Sequence, residues 1–199
     1  SSRRFIIPYK DILSQNGLYN RAQLFEEVGT RYLVELIDKA LSNYDKDPKN
    51  IGSIVFTSCS MPLIPSIDAA AILKTRLPRD INRIPIYQHG CAGGVVALSL
   101  GSKLAQMGKD VLVASLEFCS LVFQPRNRSG SHLVGASIFA DGGAASIIST
   151  EGGRLEFVAA QSCLLPETRH LMGYDIFHDG FHLRLDRGLP KELIDSLPL

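Results

Sequence analysis

Ile84-Pro85-Ile86-Tyr87-Gln88-His89-Gly90-Cys91-Ala92-Gly93-Gly94 is the stretch on which the reading of this chain turns. An apolar, β-prone run stops at a glycine, a single cysteine follows, and an apolar pattern at helical spacing opens at once with Val95, Val96, Leu98, Leu100 and Leu104. That is a strand-to-helix corner. A thiol there meets the positive end of a helix dipole and several backbone N–H groups without intrahelical partners. Both favour thiolate, the nucleophilic form of cysteine. The same features also suit a small core cysteine at a βα turn, and the local chemistry leaves both readings open.

Working outward, residues 21–44 carry Leu24, Val28, Tyr32, Leu36 and Leu33, Ile37, Leu41 at helical spacing, closed by Asp45-Lys46-Asp47-Pro48. Strands are expected at Ile51–Ser58, Ile84–Gln88 and Val111–Glu117, a short helix at Asp68–Leu77, and a long one from Cys91 to Met107 with Gly108 as its stop. Val111–Glu117 is a continuous apolar run of the kind found in a sheet covered on both faces. Gln124–Ser131 is polar and reads as an exposed loop, and His132 is read as lying in a polar loop. Ala144–Ser149, Leu155–Ser162 and Phe181–Leu185 are further strand candidates. Alternating strands and helices followed by consecutive strands define an α/β layered fold.

Composition removes several function classes. The 199 residues carry 21 basic and 20 acidic side chains with no long basic block, so nucleic-acid binding is not indicated. No apolar run is long enough to span a membrane, and no signal-peptide pattern opens the chain. The four cysteines (59, 91, 119, 163) have neither metal-ligand spacing nor a Cys-x-x-Cys pair, so no metal site or disulfide framework is expected, and a reducing cytoplasm fits.

Five blocks occur in one order: Val55-Phe56-Thr57-Ser58-Cys59-Ser60 with Pro65 and Asp68 beyond; Tyr87–Gly94; Leu133–Ala145 with its Phe139-Ala140-Asp141-Gly142-Gly143-Ala144-Ala145 core; Ala160-Gln161-Ser162; and Gly180-Phe181-His182-Leu183. Together they resemble the type III polyketide synthases, the chalcone-synthase-like branch of the thiolase superfamily, over nearly the whole chain. The resemblance implies a thiolase-like fold of αβαβα type, a mixed sheet layered with helices. Residues 1–199 would form the first half of that duplicated fold, bearing the nucleophile.

In such an enzyme Cys91 is acylated by a starter acyl-CoA, malonyl-CoA is decarboxylated, and its enolate attacks the thioester. No metal and no bound organic cofactor takes part, and the working form is a homodimer. The resemblance assigns Cys59 and Ser60 to the pocket beside the nucleophile and Ile64 to a position reaching across the dimer interface. It assigns Ser162 to narrowing the cavity, Phe181 to an aromatic gate between CoA tunnel and cavity, and Arg3 and Arg4 to a basic segment facing CoA phosphates. Asp141 reads as structural. The histidine and asparagine that polarise the malonyl thioester belong to the family's second half, and none of the five histidines here (89, 132, 170, 178, 182) has an evident partner or is assigned as base. Two other readings remain: a condensing enzyme like the ketoacyl-acyl-carrier-protein synthases III, and a non-catalytic thiolase-like scaffold or half-subunit.

Overall fold

The run Ile51–Thr57 is rich in β-branched and aromatic side chains, and in the computed structural model it forms strand β1 at the middle of the sheet. The structure describes residues 5, 6, 8, 10, 11 and 17–196. Arg3 and Arg4, expected to face CoA phosphates, lie outside the described residues. The chain divides into two compact units. One comprises Ala22–Glu117 and Gly142–Ala160; the other comprises the described residues of Ser1–Arg21, Phe118–Asp141 and Gln161–Leu199.

The expected first helix exists as a run of three pieces: α1 (Leu18–Leu24), a π-helical turn (Phe25–Gly29) and α2 (Thr30–Ser42), of which α2 buries Leu33, Ile37 and Leu41. After β1 comes α3 (Asp68–Ile72), shorter than the expected Asp68–Leu77. It tightens into turns in which the Lys74 and Thr75 N–H groups donate to Ala71 and Ile72 carbonyls. Strand β2 (Asn82–Ile86), helix α4 (Gly93–Ala105) and strand β3 (Asp110–Phe118) follow. Both β2 and β3 run parallel to β1, one on each side, and β4 (Asp141–Ile148) completes the order β2-β1-β3-β4. All three parallel strands therefore end on one edge, where α/β sheets carry their ligands.

Helix α4 packs on this sheet by a face that the apolar pattern did not indicate. Its buried positions are Gly93, Ala97, Gly101 and Ala105, one per turn, while Val95 and Leu98 are exposed. Small residues let the helix axis approach the strands closely: a Cβ on Gly101 would collide with Val113 and Ile148. Ala97 and Ala105 join Val55, Val111 and Val113 in a core against which Ile84, Ile86, Leu100 and Leu104 pack. Beyond β4, residues 155–162 form no strand and are exposed, in contrast to the expectation. Strand geometry needs a neighbour to take its backbone hydrogen bonds, and none of the described strands does so.

The second unit holds the helix α5 (Gly130–Ile138), capped by the Ser129 hydroxyl accepting from the His132 N–H, and the antiparallel hairpin of β5 (Met172–Phe177) and β6 (Gly180–Leu185). Helix α6 (Leu189–Ser196) follows. His132, expected in a polar loop, is instead a buried residue of α5, and Gln124 of the loop expected to be exposed is buried as well. The Gln124 side chain donates to the Phe181 carbonyl at 3.1 Å, which pins the loop to β6. Asp141 is structural, as expected. Its carboxylate accepts from the Ser120 N–H (2.8 Å), the Ser120 hydroxyl (2.7 Å) and the Ile6 N–H (2.8 Å).

Candidate active site

The strand ends collect the chemistry. After β1 come Cys59 and Ser60; after β2 come Tyr87 and Cys91; Glu117 is the next-to-last residue of β3. The ends of β1 and β2 are tied by the Ser58 N–H donating to the Ile86 carbonyl at 3.2 Å. From Ile86 the chain turns through Gly90, whose φ of +52° is a left-handed conformation that side chains rarely adopt. A single 3₁₀ turn, Gly90–Ala92, then carries Cys91 and leads into α4. Gly93 is required for another reason: a Cβ there would land on the Thr57 hydroxyl, so only glycine lets α4 start directly against the end of β1. Cys91 is thus held one turn before α4, with its side chain exposed.

Electrostatics at this corner differ from the expectation. The positive helix end was expected to favour thiolate, yet the Cys91 thiol is held above its ordinary value. The larger cause is desolvation by the atoms crowding the turn, although the residue presents surface to solvent. The negative charge of Glu117 adds to it, and a backbone hydrogen bond opposes both. The described residues alone favour the thiol.

Glu117 is the member of this cluster that the sequence reading passed over, absorbed into an apolar strand. Its carboxylate accepts from the Cys59 N–H at 2.8 Å and from the Ser60 hydroxyl at 2.5 Å. Burial pushes its carboxyl up; hydrogen bonds from Ser60, from the Cys59 backbone and thiol, and from Ser58 pull it back, and burial wins. Tyr87 is pushed up to about 12, by burial first and then by Cys59 and Glu117. The signal that was available is a lone acid closing an otherwise apolar strand, in line with the residues after the neighbouring strand's end.

The other expected site residues divide. Cys59 is half-buried and Ser60 buried; both belong to the Glu117 cluster in the same unit as Cys91. Ile64, in the same unit, is 99% exposed, an unusual state for isoleucine. Ser162 and Phe181 belong to the second unit. Ser162 is exposed in the irregular segment, whereas Phe181 is buried on β6 with its ring 5.8 Å from that of Tyr174. The histidines are not all partnerless: His182 Nε2 lies 2.9 Å from the Asp179 carboxylate and Nδ1 3.1 Å from the Asn127 amide. Among the described residues no three His, Cys, Asp or Glu side chains gather as a metal-ligating group. No described helix is long and apolar enough to cross a membrane.

The site is thus an α/β layer that presents a cysteine between a strand end and a helix start, near a hydrogen-bonded carboxylate. Residues 11–152 match the family model of chalcone and stilbene synthases, N-terminal domain, and the chain belongs to that family, the type III polyketide synthases. It is 31% identical over 194 residues to a 1,3,6,8-tetrahydroxynaphthalene synthase of Streptomyces griseus, covering 95% of this chain and 52% of the relative. It is 26% identical over 203 residues to a phloroglucinol synthase of Pseudomonas fluorescens, covering 100% of this chain and 58% of the relative. The crystal structure of a 1,3,6,8-tetrahydroxynaphthalene synthase from Streptomyces coelicolor, described as a bacterial type III polyketide synthase, superposes with a TM-score of 0.90 at 30% identity, covering 96% of this chain and 56% of that one. The fold is accordingly thiolase-like, as expected. The chain spans little more than half the length of these relatives.

Proposed function

We propose that Cys91 is the acyl carrier of a type III polyketide synthase. The observation that carries this reading is the placement of an exposed thiol at the strand-end edge, one turn ahead of α4, in a chain of this family. The Cys91 sulfur, as thiolate, attacks the carbonyl of an acyl-CoA; the C–S bond to CoA breaks, and CoA leaves as its thiol after taking a proton. Malonyl-CoA then loses its carboxylate as CO₂, and the resulting enolate carbon attacks the thioester. Cys91 is released as thiolate and the product is a β-ketoacyl-CoA.

Because desolvation and Glu117 favour the protonated thiol, the first step needs a cation near the sulfur. In the family resemblance that is a histidine of the second half, acting with an asparagine on the thioester oxygen. Cys59 and Ser60 line the pocket beside the thiol, held there by Glu117. Ser162 and Phe181 bound the acyl cavity, and Arg3 and Arg4 meet CoA phosphates. Ile64, fully exposed and apolar, reaches into a second copy in a homodimer. The reaction calls for no metal and no bound organic cofactor, and the protein works in the cytoplasm.

Intact-protein mass spectrometry after incubation with a panel of acyl-CoA starters tests this, on this chain and on the full-length protein. A starter-sized gain at Cys91, absent in Cys91→Ala, is expected. A full-length protein that gains no acyl mass, or gains it equally in Cys91→Ala, refutes the proposal.

A further inference from the structure

The second unit contains a cavity of about 220 Å³, roughly seven times the share of liquid volume of one water. Phe5, Val122, Phe123, Phe139 and Leu183 give it an apolar wall, and His132 of α5 reaches it from within the fold. His132 is 5% exposed, and its ring lies 5.0 Å from that of Phe123. Its Nε2 accepts a hydrogen bond from the Gln124 backbone N–H at 3.2 Å. A backbone N–H can only donate, so Nε2 carries no proton and the neutral ring bears its hydrogen on Nδ1. Burial, and then the neighbouring His182, hold this imidazole below the usual histidine range, which keeps it neutral.

Nδ1–H therefore points a fixed donor out of a buried side chain, and no described residue accepts from it. Nor is the atom sealed in: the fully enclosed side-chain nitrogens and oxygens without a partner do not include it. His132 is one of the residues that line the cavity. The remaining polar walls are committed: the Ser120 hydroxyl donates to Asp141, and Cys119 and Tyr174 have interactions of their own.

We propose that His132 is a ligand-binding residue which donates a hydrogen bond from Nδ1 to a keto oxygen of an acyl chain held in this cavity, so that keto-bearing chains are selected over saturated ones. An apolar chamber with one unsatisfied donor suits a ligand that is apolar except for an acceptor. A carbonyl has no proton of its own to leave unpaired there, whereas a saturated chain leaves the donor bare, which is unfavourable in such surroundings. A carboxylate would be poorly served by a single neutral donor. The assignment of the ligand as an acyl chain rests on the function proposed above; the donor geometry does not.

The test uses two N-acetylcysteamine thioesters, 3-oxohexanoyl and hexanoyl, which differ only by the keto group, titrated into the ¹⁵N-histidine-labelled chain in a Cys91→Ala background to prevent covalent capture. The expected result is roughly fivefold tighter binding of the 3-oxo thioester, the worth of one net hydrogen bond, with the His132 Nδ1–H resonance moving on its addition. His132→Phe, which keeps an aromatic ring against Phe123, abolishes the preference. If that variant does not fold, the resonance in the parent chain decides. Equal affinity for the two thioesters, binding of neither, an unmoved resonance, or a proton found on Nε2 overturns the proposal. Acylation of Cys91 is measured separately. A protein that acylates Cys91 without keto preference refutes only this inference, and keto preference without acylation refutes only the functional one.

Discussion

Replacing Glu117 with glutamine should make Cys91 more reactive. The substitution keeps the size of the side chain and an oxygen to accept from the Cys59 N–H, and the Ser60 hydroxyl can turn from donor to acceptor toward the new amide. What disappears is the negative charge that disfavours the Cys91 thiolate. Cys91 follows β2 and Glu117 is next to last in β3, with β1 between them, so their backbones lie across two strand spacings, about 10 Å. At an effective dielectric of about 30, between bulk water and the protein surface, two unit charges at that distance interact by ~1.1 kcal/mol. Removing that interaction multiplies the thiolate population at neutral pH by about six. A less basic thiolate is also a weaker nucleophile, with a Brønsted slope near ~0.45, so the net gain in rate is roughly threefold. The assay is alkylation of Cys91 by iodoacetamide at pH 7, read by intact mass, in a Cys59→Ala, Cys119→Ala, Cys163→Ala background. An unchanged or slower rate in Glu117→Gln would sink the claim that Glu117 sets the charge state of this thiol.

The same substitution changes the dependence of stability on pH. Glu117 titrates in the folded chain above its unfolded value, so the folded state binds more protons, and stability falls as pH rises from the ordinary carboxylate range toward that raised value. Glu117→Gln removes this fall, visible as a flatter profile of Tm against pH above the ordinary carboxylate range. Gly93→Val drives a side chain into the Thr57 hydroxyl and should cost roughly 1–3 kcal/mol by denaturant unfolding, with a wild-type midpoint counting against the tight β1–α4 junction. Asp68 is fully buried, with its two carboxylate oxygens 2.7 and 3.1 Å from the Arg83 guanidinium, so Arg83→Met strands a charge. The loss is about 2–4 kcal/mol, discounted because Arg83 is partly exposed, and adding Asp68→Asn should restore part of it; no recovery in the double variant would contradict the pairing.

The parallel core was legible because each of its strands is a short apolar run ended by turn residues, and nothing else competes for such runs. Helix α2 was legible for the same reason, since Leu33, Ile37 and Leu41 repeat on one face and are the residues it buries. Helix α4 was found, but its inner face was misassigned. Its large apolar residues lie outward or at the flanks, while the sheet is met by glycine and alanine, which carry almost no hydropathy signal. The α5 helix was missed because Gly130, Ser131, Gly135 and Ser137 lower its intrinsic propensity; its Ser129 cap and its packing on β6 supply what propensity does not. Strand β5 was missed too, since Gly173 and Asp175 are poor strand formers and its pairing with β6 decides the matter. At the site, Cys91 announced itself by motif and turn chemistry. Glu117 could not do so, because its meaning lies in a neighbour fifty-eight positions away that only the sheet brings to it.

Glu117 is an apparent contradiction, a carboxylate near a residue proposed to act as an anion. Its hydrogen bonds resolve it. The chain leaves β1 after Thr57, so the Cys59 N–H has no ladder partner, and the Ser60 hydroxyl beside it is a buried donor. Glu117 receives both, and Ser58 and the Cys59 thiol as well. A neutral acceptor would hold them less strongly, since hydrogen bonds to a charged group are about twice as strong. The cost falls on Cys91, which is held as a thiol and, in its proposed role, needs a positive group close to its sulfur. Oxidation proceeds through the thiolate, so the same charge also slows oxidation of this exposed cysteine.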